Sequence, residues 1–364
     1  MDAKLFYRQT SKLSGSLLFG ILTIGLSVVA MLLDWKAGRS LVQLQSLTLP
    51  FWVAALATAA IGFWAIPLLR SLKAGQTIRE DGPKSHLKKA GTPTMGGIFF
   101  VPVAVVIALL WSGFNPQVVA VSALTLAYSA IGFLDDWQII RRRSNKGITP
   151  RLKLLLQVAA GGAFCLWVAA TQPFDLTQLA LPFGLVLPLG IVFFPLGWFA
   201  LVAESNATNL TDGLDGLAAG TVAIALLGLG ALVAPQSPDL MLFCGALSGS
   251  CLGFLVHNRN PAQVFMGDTG SLALGGALAA VALLTHNLLA LLILGGVFFG
   301  ETLSVIIQVT YFKATKGPDG IGKRFFKMSP YHNHLELSGW SETQIVSIFY
   351  VAAALLALLV LSIF

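Results

Sequence analysis

Three short segments of the chain concentrate carboxylates in patterns that could do chemistry. GFLDD (132–136) ends an apolar run on two adjacent acids, Asp135 and Asp136. ESNATNLTDGLDG (204–216) supplies Asn206, Asn209, Asp212 and Asp215 with no Lys or Arg among them. VFMGDTGS (264–271) sets Asp268 just ahead of another apolar run. Adjacent carboxylates at a membrane interface are expensive, so Asp135 and Asp136 either end a helix in water or hold a hard divalent cation. The 204–216 segment reads as a solvated Asn/Asp/Gly turn, or as an acidic loop whose positive partner comes from elsewhere. Asp-Thr-Gly-Ser before a helix is either a cap or a set of backbone N–H groups for a phosphate.

Two further segments are basic. REDGPKSHLKKAGTPTMGG (79–97) carries Lys88 and Lys89 among turn residues, and KRFFKMSPYHNHLE (323–336) places His332 and His334 two apart. Zinc is not expected at the histidines, because no nearby Cys or third His completes a tetrahedral set. Taken one at a time, each basic segment is explained by loop charge that sets membrane topology. Taken together, three acidic and two basic segments on one membrane face suit a phosphate substrate with Mg²⁺. Carboxylates would hold the metal, metal and Lys/Arg would neutralise phosphate, and glycines would let the backbone approach.

The elements that must position these groups are transmembrane helices. Of 364 residues, 56% are hydrophobic and only 11% charged, and the mean hydropathy is +0.80. A soluble fold cannot hide that much apolar surface, a disordered chain needs the opposite composition, and continuous apolar runs exclude a β-barrel. The expected fold is therefore all-α and polytopic. Apolar stretches near the spanning length fall at 15–33, 49–69, 97–113, 117–134, 154–171, 186–203, 217–234, 240–257, 270–285, 288–311 and 343–364. With the N-terminus in the cytoplasm, 21 of the 23 Lys and Arg residues fall on the inner side, and only Lys36 and Arg39 fall outside. That asymmetry predicts N-terminus in and C-terminus out, with the acidic segments on the cytoplasmic face. The net charge of +7 thus reports topology, and nucleic acid is not an expected partner. The first apolar run lacks a small-residue cleavage site and is expected to be a retained helix. Cys165, Cys244 and Cys251 all lie in apolar runs and are expected to be packing residues.

DGPKSHLKKAGTPTMGG (81–97), GFLDD, NATNLTDGLDGLA (206–218), VFMGDTGSLALGG (264–276) and MSPYHNHLELSGW (328–340) resemble, in order, the phospho-N-acetylmuramoyl-pentapeptide transferase family. The resemblance covers about 49–364. It implies a ten-helix transferase core over 49–364, a cytoplasmic catalytic cleft, and 1–48 as an N-terminal extension with one added helix. It also implies the reaction. UDP-N-acetylmuramoyl-pentapeptide and undecaprenyl phosphate would give the lipid-linked pyrophosphoryl sugar and UMP, with Mg²⁺ as cofactor, in the inner membrane of a bacterium that builds peptidoglycan. A homodimer is compatible with it.

Carried over by position, Asp135, Asp136, Asp268 and His332 match catalytic positions, and Asp268 and Asp212 match metal ligands. Lys88, Lys89, Asn206, Asn209, Asp212, Asp215, Gln308 and His334 match the substrate-binding region. The chain departs from the family pattern twice. Ile139 stands where a Lys usually follows the aspartate pair, and Asn333 replaces the middle of three histidines. Arg141, Arg142, Arg143 or Lys146 are the nearby candidates for the missing charge. Two alternatives remain: a related transferase using UDP-N-acetylglucosamine, and an organic-phosphate transporter. The second is disfavoured because transporters place charges near the midplane, which is nearly charge-free here, with Glu301 the main exception.

Overall fold

Helices lie where the apolar runs predict them, with informative shifts at their ends. The computed structural model describes residues 13–40, 45–72, 89, 91–142, 146–173 and 177–364. The helices are α1 (Gly15–Lys36), α2 (Thr48–Ser71), α3 (Gly97–Trp111), α4 (Pro116–Arg142), α5 (Pro150–Thr171), α6 (Phe193–Thr211), α7 (Leu217–Val233), α8 (Pro238–Asn258), α9 (Gly267–Leu284), α10 (Leu288–Leu294), α11 (Gly296–Ala314), α12 (Tyr331–Glu336) and α13 (Glu342–Ile363). Among the described residues, eight are long and apolar enough to cross a membrane, α10 and α11 form one bent pair, and α3 and α7 are shorter apolar helices. These account for every apolar run, and the protein is an all-α polytopic membrane protein.

The bundle is built around α8 and α9, whose spanning windows are 94% and 89% buried, against 22% for α1. Their sequences explain it. GALSGSCLG in α8 and GSLALGGALAA in α9 present Gly, Ala and Ser on several faces. Such residues let neighbouring backbones come close, where van der Waals contact replaces the absent hydrophobic drive between membrane helices. Helix α9 packs on α4 and α6, α8 on α2, α7 and α3, and α13 on α7.

Two expected spans are reshaped. The 186–203 run does not begin as a helix: Val186–Pro188 pairs antiparallel with Gln178–Ala180, and the helix starts only at Phe193. Pro188 and the positive φ of Gly190 interrupt helix formation there. The 288–311 run is broken at Gly295 and bent by 76°. Consecutive glycines, Gly295 and Gly296, leave the backbone free to turn at that point.

The end of the bundle that gathers the aspartates is the site end. Helix α4 continues beyond its apolar run to Arg142, so Asp135 and Asp136 sit inside a helix and do not terminate one. Helix α6 likewise runs on to Thr211, which turns most of the expected 204–216 loop into helix and leaves a tight turn at 212–216.

Candidate active site at the site end

Asp268 is the hub of the site. It lies in the first turn of α9. Asn209, on α6, donates from Nδ2 to its Oδ1 at 2.7 Å, and also to Ser271 Oγ at 2.8 Å. Lys153, on α5, donates from Nζ to its Oδ2. The carboxylates of Asp135, Asp136 and Asp212 are all near enough to feel its charge. Helices α4, α5, α6 and α9 thus each contribute to one cluster, and none of those pairings is close in sequence.

Asp136 is the best-satisfied acid of the four. Its Oδ1 accepts the Asp268 N–H at 3.2 Å, and its Oδ2 accepts the Thr269 N–H at 3.0 Å and the Thr269 hydroxyl at 2.6 Å. It is 4% exposed. It caps the N-terminus of α9 from a different helix, meeting orphan N–H groups that α9 cannot satisfy itself. The cap depends on close approach: a Cβ at Gly132 would collide with the Asp268 backbone, and Gly267 takes φ +71° to start the helix. Asp135, one residue along, points elsewhere. It accepts the Ile148 N–H at 3.0 Å on Oδ1 and stays half-buried beside Asp268.

Asp212 closes α6 as its C-cap residue. Partial burial and the neighbouring Asp268 carboxylate push it up to about 7. Among the described residues, Lys153 is the cation that pairs with Asp268 and acts on Asp135, in a cluster of four acids. Among the described residues no three carboxylates or imidazoles converge as a ready-made metal cage. One or two carboxylates in an acidic cluster are what a Mg²⁺ ion takes from protein when phosphate oxygens and water complete its shell, so Asp268 and Asp212 fit that ion.

His332 lies on the other side of the 212–216 turn. It is 2% exposed and is held at two points by Glu301 of α11, itself 1% exposed. The backbone N–H of His332 donates to Oε1 at 3.1 Å, and its Nδ1 lies 3.0 Å from Oε2. The other ring nitrogen, Nε2, faces Gly213, where a Cβ would collide with it. Glu301 therefore fixes both the ring plane and the nitrogen presented to the turn, in the way a carboxylate orients a working imidazole. Glu301→Ala is expected to lower kcat about 10-fold with little change in substrate KM, checked by steady-state rates. Parental rates in that variant would remove Glu301 from this role.

The remaining expected site residues divide. Lys89 is brought in but is already paired, with Asp215 Oδ1 at 2.7 Å and Glu342 Oε2 at 2.7 Å. Burial alone would lower its pKa, but the two carboxylates outweigh it and raise it, so it stays an ammonium. Asp215 is tied further, to Asn260 Nδ2 and the Ala262 N–H, both at 3.0 Å on Oδ2. Asn206 turns away from Asp268 and bonds Gln157 Oε1 at 3.1 Å, between α6 and α5. Gln308 accepts the Phe325 and Phe326 N–H groups at 3.1 and 2.9 Å and so folds the 323–328 segment onto α11. His334 accepts the Lys327 N–H at 3.1 Å on Nδ1 and stacks on Tyr331 inside the same segment. Lys88 and Arg143 lie outside the described residues.

Sequence reasoning missed two residues of the cluster. One of them is Lys153, the cation that pairs with Asp268. It follows the Arg-rich segment, in the first turn of a helix capped by Thr149. Glu301 stood out only as an acid in an apolar run, and that was its signal: an intramembrane carboxylate marks function.

Comparison with known proteins identifies the family. Residues 118–286 match the family described as glycosyl transferase family 4, and 89–101 match the phospho-N-acetylmuramoyl-pentapeptide-transferase signature 1. The phospho-N-acetylmuramoyl-pentapeptide-transferase of Nostoc punctiforme is 65% identical over 363 residues, covering 100% of both chains. The protein of that name from Gloeothece citriformis is 61% identical over 360 residues, covering 99% of both. The signature segment has a visible structural role. The Phe265 N–H donates to Pro93 O at 2.8 Å, and the Gly96 N–H returns to Phe265 O at 2.8 Å, which pins the approach to Asp268. Identity at this level over the whole length places the chain in the phospho-N-acetylmuramoyl-pentapeptide-transferase family of membrane enzymes.

Proposed function

We propose that this transferase moves phospho-N-acetylmuramoyl-pentapeptide from its UDP conjugate to undecaprenyl phosphate, giving the lipid-linked product and UMP, in the plasma membrane of a peptidoglycan-building bacterium. The site end faces the cytoplasm, supported by the 21 basic residues that the alternation of spans assigns to that side. The observation that carries the reading is the Asp268 cluster, an acidic centre with the Lys153 ammonium and a buried His at the rim of an apolar bundle. A water-soluble sugar nucleotide and a bilayer-bound phosphate can meet there.

The chemistry is displacement at phosphorus. An oxygen of the acceptor's phosphate bonds to the β-phosphorus of the sugar nucleotide. The bond from that phosphorus to the bridging oxygen breaks, and UMP departs with the electron pair. Both reactants are anions, so positioning and charge neutralisation carry most of the barrier reduction. Asp268 and Asp212 would hold Mg²⁺, which when bound neutralises phosphate oxygens. Lys153 adds a fixed ammonium beside them, and His332 offers Nε2 at the turn. Asn209 and Lys153 donate to the two oxygens of Asp268 and fix the orientation of its carboxylate. Asp136 is committed to its cap. Asp135 is left as the carboxylate that takes the acceptor's proton.

The test is UMP release by purified protein. Release is expected from UDP-N-acetylmuramoyl-pentapeptide only when undecaprenyl phosphate is added. Release from UDP-N-acetylglucosamine instead would move the protein to the rival substrate. Excess chelator is expected to stop the reaction and added Mg²⁺ to restore it; undiminished rates in chelator would refute the metal role of Asp212 and Asp268.

A further inference from the structure

Helix α1 faces outward for most of its length, with Ile24 67% and Trp35 78% exposed. Its two ends are nonetheless bonded into the core. At the far end Asp34, fully buried, accepts the Leu47 and Thr48 N–H groups at 2.9 and 2.8 Å and the Arg39 Nε–H at 2.9 Å, capping α2. At the site end Ser14 caps α1 itself, accepting the Leu17 N–H at 3.1 Å. The first turn then lies against the loop that follows α8. A Cβ at Gly15 would collide with the Asn260 backbone. The Arg259 guanidinium stands over the Phe19 ring, 5.1 Å from its centroid, and its Nε–H reaches Ser16 Oγ at 3.4 Å.

That loop is the rear support of the Lys89 network. Asn260 donates from Nδ2 to Asp215 Oδ2 at 3.0 Å and Glu342 Oε2 at 3.3 Å, so it grips both carboxylates that hold Lys89. The gap between α1 and these groups, lined by Gly15, Phe19, Asp215 and Asn260 among others, is about 10 Å³. A space of that size is at the lower limit for one water molecule. Helix α1 thus packs closely against the loop.

We propose that the first turn of α1 is a brace: Gly15, Ser16 and Phe19 press the Arg259–Asn260 loop forward and set the position of Asp215 and Lys89 for the sugar nucleotide. This rests on the reading that Asp215 and Lys89 belong to the nucleotide region. The opposing view is that α1 only anchors the chain in lipid.

The full-length protein in phospholipid vesicles carries the test. Gly15→Val drives a branched side chain into Asn260, and it is expected to raise KM for the sugar nucleotide about 5- to 10-fold. kcat and KM for undecaprenyl phosphate should stay near parental. Phe19→Leu removes the cation–π contact and should shift KM the same way, Phe19→Trp should restore it, and Ile24→Val on the lipid face should change nothing. A second readout needs no turnover. Acylation of Lys89 by an amine-reactive ester, mapped by peptide mass spectrometry, should quicken several-fold in Gly15→Val and Phe19→Leu. Parental KM together with parental Lys89 labelling in folded variants overturns the brace. So does a parallel fall in kcat and in apparent affinity for both substrates with Lys89 labelling unchanged. Faster labelling at unchanged KM would keep the mechanical contact but overturn its role toward the nucleotide. A parental protein that releases no UMP defeats the proposed function instead, and the labelling still reads the brace. Should Gly15→Val not fold, Phe19→Leu with its Trp rescue decides.

Discussion

Asp268→Asn should lose at least about 10³-fold in UMP release while melting within a few degrees of the parent. The two parts of that expectation have different causes. The Lys153–Asp268 pair is about a fifth exposed on each side, and a partly solvated pair contributes only about 1 kcal/mol to stability. The fold should survive its loss, because Asn209 still finds a carbonyl oxygen to bond. The rate should not survive it. Asn at 268 removes the charge that Lys153, the nearby carboxylates and a bound Mg²⁺ are arranged around, and removing one preorganised electrostatic group costs about 10²–10³-fold even where no metal is lost with it. Steady-state rates and a thermal melt of the same preparation check both halves. A variant with a tenth or more of parental activity would displace Asp268 from the centre of the site.

Asp135→Asn and Asp136→Asn should separate, although the residues are neighbours. Asp136 accepts two backbone N–H groups and a hydroxyl at the start of α9. Asn offers one acceptor and an NH₂ that opposes those donors. Each such hydrogen bond is worth about 0.5–1.5 kcal/mol, and each buried donor left unsatisfied costs about 1–3 kcal/mol, so Asp136→Asn should destabilise by about 3 kcal/mol. Activity should fall with it, because Asp268 rides on the same helical turn. Asp135→Asn should melt like the parent and lose about 10²-fold in kcat, the scale for one general base. Melting curves in detergent, set beside kcat, distinguish them. Equal melting temperatures for the two variants would refute the cap, and a fully active Asp135→Asn would remove the base.

Much of the site and the fold is legible in the sequence. The membrane class and the number of apolar segments follow from composition, because hydrocarbon admits only helices whose backbone bonds are internal. Asp268, Asn209 and Asp212 could be picked out because Asn, Asp and Gly in an otherwise apolar chain are costly to keep. Other residues of the site were not legible. Ile139 gives no hint that the cation paired with Asp268 is Lys153, one helix further on. Nothing in local spacing reports which turn of α5 faces α9.

The same limit separates what the sequence determined from what the tertiary structure decided. Residue type and hydropathy determined which segments cross the bilayer and which polar groups gather at one end, because burial in hydrocarbon is a property of each segment on its own. Roles within that end were decided by packing. Asp135 and Asp136 are chemically identical and adjacent, but successive helical positions point about 100° apart. One therefore meets the N-terminus of α9 and becomes a cap, while the other turns to the Ile148 N–H and stays half-buried. Glu301 became the holder of His332, and α1 came to rest behind Asp215, through contacts between residues 31 and more than 200 positions apart. Such pairings depend on how close two backbones come, and at Gly132 and Gly15 that closeness exists only because no Cβ stands in the way.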